Sequence, residues 1–87
     1  MAAPPDVVVY TKPDCCLCHD LREQLRRLQQ TVPFAWREVN ILEDADAFEK
    51  FQYEIPVIFI GERKISKFYF DKKRFLDGLR RASGHTL

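Results

Sequence analysis

Apolar positions along the chain switch between two periods, and the switches mark the elements. Val7-Val8-Val9-Tyr10 is a continuous, mostly β-branched run, the pattern of a short strand covered on both faces. Lys12-Pro13-Asp14 ends it: the proline holds Lys12 extended, and Asp14 is a residue type suited to capping a helix. Leu17, Leu21, Leu25 and Leu28 recur at spacings of four, four and three, which lays one apolar stripe along a helix. Arg22, Glu23, Arg26 and Arg27 fall off that stripe and read as its solvated side, with Glu23 and Arg27 paired one turn apart. Thr31-Val32-Pro33 stops the helix.

Phe34 to Ile41 predicts a second strand, with Phe34 and Trp36 on one face. Ala45, Phe48 and Phe51 predict a short helix entered through Glu43-Asp44, whose charge suits a helix N-terminus. Ile55-Pro56-Val57-Ile58-Phe59-Ile60-Gly61 reads as a strand led by a proline and closed by a glycine turn, with Arg63 to Phe68 hairpinned to it. Asp71 is a candidate cap for a last helix, with Phe70 and Phe75 spaced as a hydrophobic staple and Phe75, Leu76 and Leu79 on its apolar side; Gly78 weakens it. The order is β-α-β-α-β-β-α. A strand, a crossover helix and a strand make a parallel unit, and the closing hairpin adds an antiparallel edge. The expected fold class is α/β: a central four-stranded mixed sheet with three flanking helices over both faces.

With 87 residues the chain holds one small domain, with residues 1–5 and 83–87 expected as flexible ends. Fourteen basic and 13 acidic side chains leave a formal charge of +1, so nothing points to nucleic acid or an anionic membrane. No apolar run is long enough to span a bilayer, and MAAPPDVVVY lacks the basic and long apolar regions of a secretory signal. All three cysteines fall in DCCLCHD, residues 14 to 20. Their number is odd and they are too close together to staple distant parts of a fold, so a local site in a reducing, cytoplasmic compartment is expected.

Cys15 is expected in the first turn of the first helix, where unpaired backbone N–H groups and the positive end of the macrodipole favour thiolate, the nucleophilic form. Lys12 adds a positive charge nearby, and His19, four residues on, lies on the same helix face and is placed to donate to the sulfur; Asp14 opposes ionisation. Cys18, three residues after Cys15, is placed to close a small disulfide with it and, lying nearer the buried stripe, to act as the resolving thiol. Cys16 points about 100° around the helix and is the spare thiol. Other chemistries fit parts of the pattern. Cys15-Cys16-Leu17-Cys18-His19 spells a haem c attachment motif, but the only methionine is Met1 and the only other histidine is His85, read as a tail residue. Zinc needs four ligands and no second cluster exists. An iron–sulfur cluster shared between two chains, or plain buried cysteines, remain as alternatives.

Val9-Tyr10-Thr11-Lys12 before Cys15-Cys16-Leu17-Cys18, then Glu38-Val39-Asn40-Ile41, then Ile55-Pro56-Val57-Ile58-Phe59-Ile60-Gly61 together resemble the glutaredoxin family of the thioredoxin superfamily, and within it the small branch reading Cys-x-Leu-Cys. The resemblance spans residues 7 to 80, with the Ile-Pro pair placing Pro56 41 residues after Cys15. It implies a thioredoxin-like fold and thiol–disulfide exchange by Cys15 and Cys18. It also implies a cis Pro56 facing the cysteines, an Ile55 backbone offered to an extended substrate, and a Lys12 that meets a substrate carboxylate. No resident cofactor is required. Glutathione is an optional cosubstrate, and the implied partners are a disulfide-containing protein or small thiol and a reductant, glutathione or a flavoenzyme reductase. The chain is expected to act as a monomer. The alternative functions are an iron–sulfur carrier and a non-catalytic interaction module.

The chain departs from the family at two places. Cys16 and Leu17 stand where dithiol glutaredoxins carry proline and tyrosine, and Ser66-Lys67-Phe68-Tyr69-Phe70 replaces the glycine-rich turn and acidic residue that hold glutathione. That stretch is bulky and basic enough to fill the glutathione groove. Phe68, Tyr69 and Phe70, like Tyr53, Trp36 and Tyr10, are otherwise expected to be core packing. Thr31-Val32-Pro33 spells a tripeptide that many glutaredoxins place at the cis site, but it comes before the second strand and is read as the helix stop.

Overall fold

The computed structural model describes residues 6–82; the expected flexible ends and His85 lie outside the described residues. Strand β1 (Val7–Thr11) leads through a short turn into α1 (Cys16–Leu28), then β2 (Trp36–Asn40), a 3-10 turn (Ile41–Glu43), α2 (Ala45–Phe51), the hairpin β3 (Val57–Ile60) and β4 (Arg63–Lys67), and α3 (Lys72–Ala82). The sheet order is β2-β1-β3-β4. β1 runs parallel to β2, from Val7 opposite Trp36 to Thr11 opposite Asn40, and antiparallel to β3, from Val7 opposite Ile60 to Tyr10 opposite Val57. This is the expected mixed four-stranded sheet with three helices, a thioredoxin-like fold.

The largely apolar β1 serves two cores. Val7 and Val9, with Ile58, Ile60 and Ile65, meet Leu21, Leu25 and Leu28 of α1 and Phe75 and Leu79 of α3 in the larger one. A smaller cluster holds Cys18, Ile41, Ala47 and Ile55, with Tyr10, Cys15 and Phe51 packed on it. Tyr10, Phe51 and Phe59 form a ring-to-ring group there, with centroids 4.7 to 5.7 Å apart.

Local chemistry moves several boundaries. Asp14 is not the cap of α1: it turns left-handed at φ 61°, which aspartate tolerates, and the extended Cys15 behind it takes the cap. Leu17 is 40% exposed; Cys18, three residues before Leu21, takes the covered place at the head of the stripe. Glu23 pairs with Arg26 rather than Arg27, at 3.1 Å. β2 stops at Asn40 because the Asn40 side chain accepts the Leu42 N–H at 2.9 Å and caps the 3-10 turn. The side chain of Asp44 caps α2 as its charge suggested, but Ala47, not Phe48, is the buried residue of that helix. Asp71 caps α3 through the Arg74 N–H at 3.1 Å, and the expected staple forms, with the Phe70 and Phe75 rings 5.4 Å apart. Tyr53 and Tyr69 are 84% and 74% exposed, so the packing role expected of them does not hold, whereas Trp36, Tyr10 and Phe70 do pack on the cores.

Gly78 has a reason to be in a helix. A β-register shift between Ile58 and Phe59 attends the turning of Ile65 toward α3, and a Cβ at Gly78 would lie 2.9 Å from Ile65 Cδ1 and 3.0 Å from Ile60 Cδ1. The glycine lets the helix backbone rest on the sheet. Replacing Gly78 by valine is therefore expected to destabilise the fold by about 2 kcal/mol through overpacking, read as a lower urea midpoint with an unchanged slope.

Candidate active site

The turn between β1 and α1 builds the site. Pro13 and the left-handed Asp14 carry the chain around, and Cys15 arrives with φ −108° and ψ 113°, the extended geometry of a cap. Its Sγ accepts the Cys18 N–H at 3.2 Å, and its carbonyl accepts the His19 N–H at 3.0 Å. Sulfur thus does the work that a Ser or Asp oxygen does at other helix starts, facing N–H groups that have no intrahelical partner. The first turn of α1 contains no acidic residue to offset that positive end. Relative to the expectation, Cys15 sits one position earlier, at the cap instead of inside the first turn.

The three thiols are free and differ in access: Cys15 is half-buried, Cys16 exposed and Cys18 fully buried. Burial pushes the Cys18 thiol up to about 12, and its hydrogen bonding with Cys15 adds to that; the backbone amide of Lys12 and the charge of Arg22 act the other way. At neutral pH Cys18 is a protonated thiol held directly behind Cys15.

Cys15 and Cys18 share their cluster with Ile55, and the Ile55–Pro56 peptide bond is cis, as the resemblance implied. Neither the N–H nor the C=O of Ile55 is hydrogen-bonded among the described residues. The Pro56 carbonyl accepts the Phe68 N–H at 2.9 Å, which brings the corner after β4 beside the proline. Phe68 is left-handed there, at φ 68°, with its ring 6.5 Å from that of Tyr69 and 5.7 Å from the Lys67 ammonium. The stretch expected to be packing is therefore split: Phe70 enters the core while Phe68 and Tyr69 stand outward.

On the opposite side, Asp14, Cys15, Cys16, His19, Asp20 and Arg22 line an open hollow of about 610 Å³. His19 is exposed in it; the hydrogen bond at the Cys15 sulfur comes from the Cys18 amide, not from the imidazole. Lys12 is exposed at the turn, its side chain in no ion pair with the described residues. Among the described residues no three His, Cys, Asp or Glu side chains gather to hold a metal ion.

Arg22 does not belong to a freely solvated face. Its Nε donates to both carboxylate oxygens of Glu38, at 2.9 and 2.8 Å, its Nη2 lies 2.6 Å from Oε2, and the buried Thr11 hydroxyl donates to Oε2 at 2.6 Å. Arg22 holds the Glu38 carboxyl below the usual range, with Thr11 helping and partial burial opposing. The sequence signal was the four-residue step from Cys18 to Arg22, which puts a cation one turn beyond the buried thiol.

A mixed sheet with a Cys-x-x-Cys pair at the head of its crossover helix, next to a cis-proline, defines a thioredoxin-fold protein of the redox type. The chain belongs to the glutaredoxin-like domain family (DUF836), whose profile matches residues 6–80. No curated protein matches it in sequence. Among solved structures it is similar to protein Ne2328 from Nitrosomonas europaea, at 23% identity and a TM-score of 0.79, covering 91% of this chain and 95% of that one. It is also similar to thioredoxin 1 from Thermosipho africanus, at 14% identity and 0.61, covering 87% and 91%, and to a thioredoxin variant from Halobacterium salinarum, at 15% and 0.65, covering 97% and 79%. These likenesses show the fold.

Two pH dependences follow. Glu38 has a lowered folded-state value, so its contribution is complete above the ordinary glutamate range and is lost as pH falls through the lowered value. The stability gap between the protein and its Glu38→Gln variant should close over that acid interval, measured by urea titration. Cys18 is raised, so its contribution is complete below the usual thiol value of 9.0 and is lost as pH rises from there toward about 12. A Cys18→Ala variant should lack that alkaline component in the same titrations.

Proposed function

We propose that the protein is a dithiol thiol–disulfide oxidoreductase acting on protein or small-molecule disulfides. The observation that carries the reading is the position of Cys15: its sulfur caps the helix on the Cys18 amide, with the Cys18 thiol behind it and the free Ile55 backbone in the same cluster. The Cys15 thiolate attacks one sulfur of the substrate disulfide, forming a mixed disulfide and expelling the other sulfur as thiolate. Cys18 then gives up its proton and attacks the Cys15 sulfur, closing the Cys15–Cys18 disulfide and expelling the second substrate thiolate. Two electrons pass from the dithiol to the substrate. They reside in the two sulfurs, so no resident cofactor takes part, and an external thiol reductant, two glutathiones or a flavoenzyme-linked dithiol, resets the pair.

Ile55 and Pro56 receive the substrate: the unpaired N–H and C=O of Ile55 suit one extended strand of peptide. Lys12 and His19, both exposed beside the cysteines, serve the thiolate electrostatically, and Lys12 also meets a substrate carboxylate. The exposed Phe68 and Tyr69 beside Pro56 favour an extended protein segment over glutathione, which remains an optional cosubstrate. No helix among the described residues is long and apolar enough to cross a membrane; the clustered free thiols suit a reducing, cytoplasmic setting, and the protein acts as a monomer.

The test is thiol trapping with peptide mapping across glutathione redox buffers, together with disulfide reductase assays of the cysteine variants. The protein should lose two hydrogens at Cys15–Cys18 at a potential within roughly −120 to −270 mV, the range of known exchangers. Cys15→Ser should abolish reductase activity and Cys18→Ser should trap the mixed disulfide. Full activity in Cys15→Ser would sink the reading.

A further inference from the structure

The Thr11–Glu38–Arg22 network joins three elements beside the cysteine pair. Its ion pair is about a quarter exposed on each side, and such pairs add little to folding. Yet it draws a buried hydroxyl from β1, a carboxylate from β2 and a guanidinium from α1 onto one point, with three contacts of 2.6 to 2.9 Å fixing Arg22. Arg22 stands one helical turn after Cys18 and lines the hollow that holds Cys15. The cation is therefore fixed close to the cysteine pair.

The resolving step needs what this cation supplies. Cys18 must ionise while enclosed by Ile41, Ala47, Ile55 and the rings of Tyr10 and Phe51, which offer a thiolate nothing. The groups that act on it from the packed elements are few. Cys15 at the helix cap opposes ionisation, the Lys12 backbone amide at the end of β1 favours it, and Arg22 favours it. Tyr10, packed on the cluster, also carries a titratable hydroxyl, and Glu38 acts on Arg22 without being among the groups that act on Cys18.

We propose that Arg22, held by Glu38 and Thr11, is the positioning residue for resolution: its fixed positive charge, one turn beyond Cys18, stabilises the Cys18 thiolate that attacks the mixed disulfide at Cys15. The proposal rests on the dithiol reading and adds to it a role for three residues outside the Cys-x-x-Cys motif. Its consequence is a sign. Removing the Arg22 charge makes Cys18 harder to ionise. A glutamine at position 38 keeps an acceptor for Arg22, so the cation stays in place with no carboxylate to offset it, and Cys18 becomes easier to ionise.

The experiment is stopped-flow reaction with dithiodipyridine in a Cys16→Ser background. Attack by Cys15 releases one chromogenic thiopyridone and leaves a mixed disulfide; attack by Cys18 on Cys15 releases the second and closes the protein disulfide. A Cys18→Ser control should release one equivalent only. Losing a neighbouring positive charge moves a thiol up by about one pH unit. Tenfold less thiolate, partly offset by its greater nucleophilicity, then slows attack about threefold at neutral pH. Arg22→Gln should show that slowing in the second phase, Arg22→Lys should retain most of the rate, and Glu38→Gln should speed the second phase. The Arg22→Gln/Glu38→Gln pair keeps neutral hydrogen-bonding side chains at both positions and should also be slow, which separates lost charge from lost folding. Slowing in both single variants, or in neither, overturns the proposal. A parent protein that releases only one equivalent overturns the dithiol reading itself, and the proposal falls with it.

Discussion

The hydrogen bond from the Cys18 amide to the Cys15 sulfur ties the backbone of the fold to the chemistry of its site. A helix that starts on a sulfur needs that residue extended, and an extended Cys15 needs the chain before it to turn sharply. Pro13 and the left-handed Asp14 supply the turn. The stripe of Leu21, Leu25 and Leu28 sets which face of α1 meets the sheet, and Cys18, three residues before Leu21, lies on that face.

Burial then sorts three thiols that the chain places almost side by side. The larger core, built on Leu21, Leu25 and Phe75, holds the helices to the sheet and carries no chemistry. The smaller cluster takes in Cys18 and leaves Cys15 half-covered and Cys16 outside. A protonated Cys18 thiol kept behind Cys15 is a reserve for the second half of the proposed exchange. Its enclosure is also its handicap, because an apolar site resists the charge that attack requires. Arg22, one turn along α1, is the cation whose charge acts against that handicap.

The corner after β4 is where the chain departs from the dithiol glutaredoxins it resembles. A glycine-rich turn makes room for a small ligand; here Phe68 adopts the left-handed backbone itself and keeps its side chain. Its amide bonds to the Pro56 carbonyl, so the corner stays docked beside the site while the Phe68 and Tyr69 rings line the rim.

The element order, the parallel β1–β2 unit, the helix stops, the Asp44 and Asp71 caps and the Phe70–Phe75 staple can all be read along the chain. Each follows from contacts within a few residues or from the period of apolar positions, and both are written along the chain. The change of pattern also puts Cys15 and Cys18 at the β1–α1 junction, while Ile55 and Pro56, at the head of β3, were tied to them only by the family resemblance. The rest depends on which element covers which. Leu17 and Cys18 both fit the stripe of α1, and the sheet buries the second. Gly78 reads as a helix breaker until Ile60 and Ile65 press against it. Tyr53 and Tyr69 read as core until no element arrives to cover them. Arg22, Glu38 and Thr11 lie on three elements and share nothing in the sequence; folding alone brings a cation, a carboxylate and a hydroxyl within hydrogen-bonding distance. Local spacing cannot encode such a meeting, because it exists only once β1 and β2 pair and α1 packs across them.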